Sequence, residues 1–205
     1  MPQPSRRTSD AGYDLDEFVG DVELLLDRRP SVPVTIKEVS TLVSRLIAAD
    51  DGWLDPAHRR PIADSYARYL LHRDRQNRFV VLSLVWQPGQ STPVHDHSSW
   101  GVMGIMEGAL EEVGYERLDD GARPGHAELR ERKGQMVGKG SVSYVLPPYE
   151  EIHRIGNPTA GHALSLHVYG RDLDEVNVFD PISHKVSPMR IKYYNPVSSA
   201  HDFII

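Results

Sequence analysis

The chain has 205 residues, 40% of them apolar and 25% charged, which suits one folded domain with a full core and leaves little room for two. A net charge of −6, with the 23 Lys and Arg spread along the chain, argues against a nucleic-acid partner. Cysteine is absent, which excludes disulfides, thiolate zinc sites and a cysteine nucleophile. The start, Met1-Pro-Gln-Pro-Ser-Arg-Arg, has no apolar stretch behind it, and nothing approaches the roughly 20 apolar residues of a membrane span. The expectation is a single domain over 1–205, cytoplasmic, with no membrane partner.

Residues 1–11 are polar and read as disordered. The N-terminal part, 12–64, reads as helical. Leu15, Phe18, Val19, Val22 and Leu26 recur at helical spacing up to Arg29-Pro30. A second helix is predicted to start at the capping-box spacing Thr35-x-x-Glu38, with Ile36, Val39, Leu42, Val43, Leu46 and Ile47 as its apolar stripe. Residues 50–64, with Pro56 and Pro61, read as a loop containing a short helical turn.

From residue 65 the pattern becomes that of short strands, expected at 66–72, 79–86, 101–107, 110–117, 127–132, 141–146, 151–155, 162–169 and 188–194. Glycines punctuate them, as in sandwiches and barrels, so 65–205 reads as a β-barrel carrying the N-terminal helices.

Gly89-Gln-Ser-Thr-Pro-Val-His95-Asp-His97 carries the most chemistry. Residues two apart on a strand project from one face, so His95 and His97 present two imidazoles together, half of a transition-metal site. A third imidazole from a distant strand, His153, would complete one face of an octahedron and leave the opposite face open. His58, His72, His126, His184 and His201 lack such a setting and read as ordinary surface or core residues.

Gly-x5-His-x-His with Gly108 eleven residues after His97 resembles the first motif of the cupin superfamily, and His153-x3-Asn157 the end of the second. The carboxylate of that motif belongs four or five residues after His97, where Gly101 and Val102 stand, so the resemblance implies a three-histidine site. Imidazoles alone do not select iron, since nickel, zinc and copper also bind them. The fold implied is mostly β, a cupin jelly-roll barrel with an N-terminal pair of α-helices.

Tyr66-Ala-Arg68-Tyr-Leu-Leu71, Arg78-Phe79 through Val85-Trp86, Pro88-Gly89-Gln90-x2-Pro93-Val94-His95-Asp96-His97, Trp100-Gly101, and Ser165-Leu166-His167-Val168-Tyr169-Gly170 together resemble the cysteine dioxygenase family of thiol dioxygenases, in particular its bacterial 3-mercaptopropionate dioxygenase branch. The resemblance implies a monomer with Fe(II) on His95, His97 and His153 that adds both atoms of O₂ to the sulfur of a small carboxylated thiol, giving a sulfinate. The thiol would be cysteine, 3-mercaptopropionate or mercaptosuccinate.

Ser165, His167 and Tyr169 alternate on one strand and share a face. They look like the family's Ser-His-Tyr relay, with the Tyr169 hydroxyl beside the metal. The cysteine that is crosslinked to this tyrosine in animal cysteine dioxygenases has no counterpart here; Gly101 occupies its neighbourhood. Arg68 matches the arginine that grips substrate carboxylate in cysteine dioxygenases, where the mercaptopropionate branch is expected to carry glutamine. Arg171 is a candidate second cation for a dicarboxylate thiol. Two other classes fit the histidines: a non-catalytic ligand-binding cupin, and a zinc or manganese isomerase.

Overall fold

The protein is represented by a computed structural model, in which residues 12–49, 51–148 and 150–195 are described; the segment 1–11, expected to be disordered, and His201 lie outside them. Helix α1 (Leu15–Asp27) starts where the Asp14 carboxylate accepts the Glu17 N–H at 3.0 Å, and its buried face is Phe18 and Val22. It stops short of Arg29, which takes a left-handed φ of 50°, and Pro30.

Helix α2 (Val32–Ala48) begins a turn earlier than its capping-box spacing suggested. Ser31 is the capping residue and Pro33 sits in the first turn, where a missing N–H costs nothing. Thr35 is therefore inside the helix, and its hydroxyl donates back to the Ser31 carbonyl at 3.2 Å. The apolar stripe is as read: Ile36, Val39, Val43, Leu46 and Ile47 are buried and Leu42 packs at their edge. The 50–64 connection contains two 3-10 turns, Asp51–Trp53 and Pro56–Arg59.

Twelve strands follow: β1 (Ala67–Arg73), β2 (Val80–Trp86), β3 (Val94–His95), β4 (Gly101–Glu107), β5 (Ala109–Arg117), β6 (Leu129–Glu131), β7 (Gln135–Gly138), β8 (Val142–Val145), β9 (His153–Gly156), β10 (Ala163–Tyr169), β11 (Glu175–Phe179) and β12 (Val186–Arg190). They form two antiparallel sheets, one in the order β1-β2-β10-β4-β8 and one in the order β12-β11-β3-β9-β5-β6, with β7 also on β5. This is the expected mostly-β jelly roll with its helical pair. Strands β7 and β11 were not foreseen, the strand expected to carry both His95 and His97 ends at His95 as β3, and the last strand lies at 186–190 instead of 188–194.

The central strands of the five-stranded sheet, β2, β10 and β4, are buried on both faces, and their alternation decides what each face does. Val81, Val85, Leu164, Leu166 and Val168 point outward against Phe18, Val22, Val39, Val43 and Leu46 of the helices. Phe18 and Val43 are fully buried, and each such side chain contributes about 1.5–3 kcal/mol. Gly104 on β4 permits this docking, since a Cβ there would fall 2.6 Å from Val43 Cγ1. Val80, Leu82, Leu84, Trp86, Met103 and Ile105 point the other way, into the barrel, where they meet Leu110, Ile155 and Val176 of the second sheet. Strand β10 is central, flanked by β2 and β4. The residues that alternate with its outward Leu164, Leu166 and Val168, namely Ser165, His167 and Tyr169, are thereby turned into the barrel.

Candidate metal centre

Three histidines from two strands of the second sheet converge inside the barrel. His95 ends β3 and pairs in register with His153 on β9. His97 lies beyond the two-residue β3, so strand alternation alone does not align it with His95. Glu151 holds it instead: its carboxylate accepts the His97 and Ser98 N–H groups at 3.3 and 2.9 Å, and its carbonyl meets His97 Nδ1 at 3.1 Å. The ring centres lie 4.7 Å (His95–His97), 5.0 Å (His95–His153) and 4.8 Å (His97–His153) apart. One candidate ligand atom from each lies within 4.8 Å of the others, the one such His, Cys, Asp or Glu group found among the described residues.

The outward nitrogens of these rings are all occupied. His95 Nδ1 lies 3.1 Å from the Pro93 carbonyl, His97 Nδ1 3.1 Å from the Glu151 carbonyl, and His153 Nδ1 3.0 Å from the Glu112 carboxylate. A backbone carbonyl accepts only, so Nδ1 of His95 and His97 must carry the proton, which leaves Nε2 of each as a lone-pair donor. Burial, and then the neighbouring rings, push His95 down to about 3 and His97 well below the usual histidine range, so both are neutral at ordinary pH. Burial alone would raise the Glu112 carboxyl, but its hydrogen bonds, the one with His153 foremost, together outweigh it and hold it low. Neutral, pre-oriented imidazoles with satisfied outer nitrogens are what a transition metal requires.

Above the triad lies the β10 face. Ser165, His167 and Tyr169 form one chain: Ser165 Oγ is 2.9 Å from His167 Nε2, and His167 Nδ1 is 3.0 Å from the Tyr169 hydroxyl. The sequence did not reveal its far end, where the Trp86 indole N–H donates to Ser165 Oγ at 3.0 Å. Burial holds His167 well below the usual range and pushes Tyr169 up to about 12, so the imidazole is neutral and the phenol keeps its proton. The Tyr169 ring stacks on His97 with centres 5.4 Å apart. A small cavity lined by His97, Met103, Val145, His153, His167 and Tyr169 joins the two groups.

Gly101 explains the missing carboxylate. A Cβ there would lie 2.8 and 2.9 Å from Tyr169 Cδ1 and Cε1, so the tyrosine ring takes the space any side chain would need. Arg68, on β1, turns its guanidinium towards the same interior; its Nε is buried with no hydrogen-bond partner, and the Tyr193 ring centre lies 5.8 Å from its Cζ. Tyr66 stacks on Trp86 beside it at 4.5 Å. Arg171 is exposed and bonds the Ser98 hydroxyl at 2.9 Å, one residue past His97. His58, His72, His126 and His184 take no part in the cluster. Glu112 and Glu151 are the contributors that sequence reasoning missed, together with the bond from Trp86 to Ser165; the acid spacing of β5 gave no sign that one of its glutamates turns inward.

Solved structures that resemble the chain include an acetylacetone dioxygenase from Acinetobacter johnsonii (14% identity, 67% of this chain and 82% of that one, TM-score 0.44). Others are a cupin 2 conserved barrel domain protein from Salinispora arenicola (24%, 57% and 83%, TM-score 0.39) and TT1209 from Thermus thermophilus (21%, 55% and 89%, TM-score 0.39). A family model for cysteine dioxygenase type I matches residues 33–182, which takes in α2, the three histidines, Arg68 and the whole relay. The chain belongs to the cysteine dioxygenase type I family.

Proposed function

We propose that this protein is an iron-dependent thiol dioxygenase in which His95, His97 and His153 hold Fe(II). The substrate is a small carboxylated thiol, and both atoms of O₂ end on its sulfur as a sulfinate. The observation that carries this reading is a cluster of three buried imidazoles, two of which, His97 and His153, line one small cavity with a protonated tyrosine hydrogen-bonded to His167. When bound, the metal supplies an electropositive seat for the thiolate and the redox capacity to engage O₂.

The protein's own groups do the rest. Arg68 pairs with the substrate carboxylate, which gives its unpartnered Nε an acceptor and fixes the sulfur's reach into the cavity. We assign the relay one polarity: Trp86 can only donate, so Ser165 Oγ accepts from it, and in the assigned tautomer the Ser165 proton goes to His167 Nε2. His167 then donates from Nδ1 to the Tyr169 oxygen, and the Tyr169 proton is left to point into the cavity. A hydroxyl held this way, in a site walled by Met103, Ile155 and Val145, donates to developing negative charge without first reorganising. A cleft of about 430 Å³ shares Tyr144, Val145 and His153 with the site and offers a route from solvent.

The test is O₂ uptake and sulfinate formation by protein loaded anaerobically with Fe(II), across cysteine, 3-mercaptopropionate, mercaptosuccinate and cysteamine. The expected result is coupled uptake with at least one acid thiol, little with cysteamine, and none when zinc replaces iron. Turnover of some substrate by the zinc form without O₂ would assign the site to isomerase or hydrolase chemistry.

A further inference from the structure

The three imidazoles are not electrically alike. His95 and His97 each give Nδ1 to a neutral backbone carbonyl, but His153 faces a full carboxylate, Glu112 Oε1, at 3.0 Å. Both side chains are nearly enclosed, 9% exposed for His153 and 11% for Glu112. Glu112 lies on β5 opposite Ile155, and Gly114, two residues on, is the register partner of His153. With no side chain at Gly114, nothing on β5 stands between the carboxylate and the ring. Its other oxygen is reached by Gln135 Nε2 at 3.4 Å, so the carboxylate is tethered from its far side.

We infer that Glu112 is the carboxylate of this centre, acting through His153 and not as a ligand. It is a positioning residue that sets the metal affinity and charge of the site, in place of the acid that Gly101 cannot supply. The inference rests on the reading of the three histidines as metal ligands. A carboxylate accepting from Nδ1 orients the imidazole and makes Nε2 a stronger donor. It also places one negative charge a single hydrogen bond from the ligand set, so a divalent ion there carries a net charge of +1 across ligand and partner. Anionic thiols are thereby still attracted while the ion is held more firmly. The neighbouring Glu111 points the other way, to Arg154 at 3.1 Å on the outer face, and provides a matched control.

The experiment is competition for Co(II), and anaerobically for Fe(II), between the protein and a chromophoric chelator, together with the visible absorption of the Co(II) form. Glu112→Gln keeps the size and an acceptor oxygen but removes the charge, and Glu112→Ala removes both. Affinity is expected to fall on the order of ten- to a hundredfold for Glu112→Ala, less for Glu112→Gln, with the Co(II) spectrum displaced in both. Glu111→Gln should bind as the parent does. If Glu112→Ala does not fold, Glu112→Gln carries the test alone. Wild-type affinity and an unchanged spectrum in Glu112→Gln, with His153→Ala losing the metal, would overturn the inference and leave the triad standing. Undiminished binding in His153→Ala would instead overturn the triad itself.

Discussion

His167 and His153 are both buried imidazoles on neighbouring walls of one barrel, and they differ in which nitrogens are spoken for. His167 has both engaged, by Ser165 and by Tyr169, so it can pass polarity along a chain but has no lone pair to give a metal. His153, like His95 and His97, has its hydrogen bond at Nδ1, which leaves Nε2 as the candidate ligand atom. The same residue type in the same low-dielectric interior is thus a hydrogen-bonded link between two hydroxyls on one sheet and a candidate metal donor on the other. The partners at the outer nitrogen make the difference, and burial alone does not separate the two.

The largest effect should come from breaking the donor side. Replacing His95 or His153 by Ala removes one of three imidazoles, and metal content by elemental analysis and O₂ uptake should both fall to background while the helical circular dichroism signal persists. His167→Ala should behave differently, keeping its metal and losing turnover. Equal metal loss in His167→Ala would erase the distinction.

Next in size is Tyr169→Phe, which keeps the ring that packs on His97 and Gly101 and removes only the terminal donor of the relay. Turnover should fall about tenfold or more if that donor is worth at least 1.4 kcal/mol in the transition state. Iron affinity should be unchanged. A smaller loss is expected from Trp86→Phe, which leaves the chain from Ser165 to Tyr169 in place but removes the indole donor at its far end. One neutral hydrogen bond of about 1 kcal/mol corresponds to roughly a fivefold lower kcat. Thiol binding measured without O₂ should be less affected than kcat, and a change confined to KM would move Trp86 from the relay to the pocket wall.

Much of both sides is legible in the sequence, because it rests on periodicity. The alternation of Ser165, His167 and Tyr169 against Leu164, Leu166 and Val168 is enough to separate the barrel face of that strand from its helix face. The pair His95 and His97 announces donors by its spacing, although β3 ends at His95 and Glu151 rather than strand alternation places His97. What stays hidden comes from contacts between residues far apart in the chain. Glu112 reaches His153 across 41 positions and Glu151 reaches His97 across 54, and neither acid differs in local pattern from its exposed neighbours. The differences among the strands have local causes: β3 is two residues long, β7 lies between Gly134 and Gly140, and β11 opens on a glutamate. The start of α2 was misplaced because Thr35-x-x-Glu38 mimics a cap, whereas the helix starts after Ser31, which makes no side-chain cap bond, with Pro33 in its first turn.

The smallest effect on turnover should come from Asp74, a buried polar group whose partners are all structural. In the turn between β1 and β2 its carboxylate accepts from the Gln76 and Arg78 backbone N–H groups at 3.0 and 2.9 Å and from the Arg78 guanidinium at 2.9 and 3.0 Å. Arg78 in turn reaches Asp27 on α1 at 2.7 Å, so the turn ties the helical pair to the sheet. The hydrogen bonds and charge of Arg78 pull the Asp74 carboxyl from 3.8 down to about 2. A carboxyl depressed in the folded state binds its proton first in the unfolded one. Its contribution, about 2 kcal/mol, is therefore complete above pH 4 and is lost as pH falls towards 2. Asp74→Asn should lower the urea midpoint at pH 7, the deficit should close as pH falls through that window, and kcat with an acid thiol should stay at the parent value. A deficit independent of pH would mean that the side chain acts by shape and not by charge. A fall in kcat would mean that the turn communicates with the barrel interior, and Asp74 would then belong with His167 among the groups that act on the reaction from a distance.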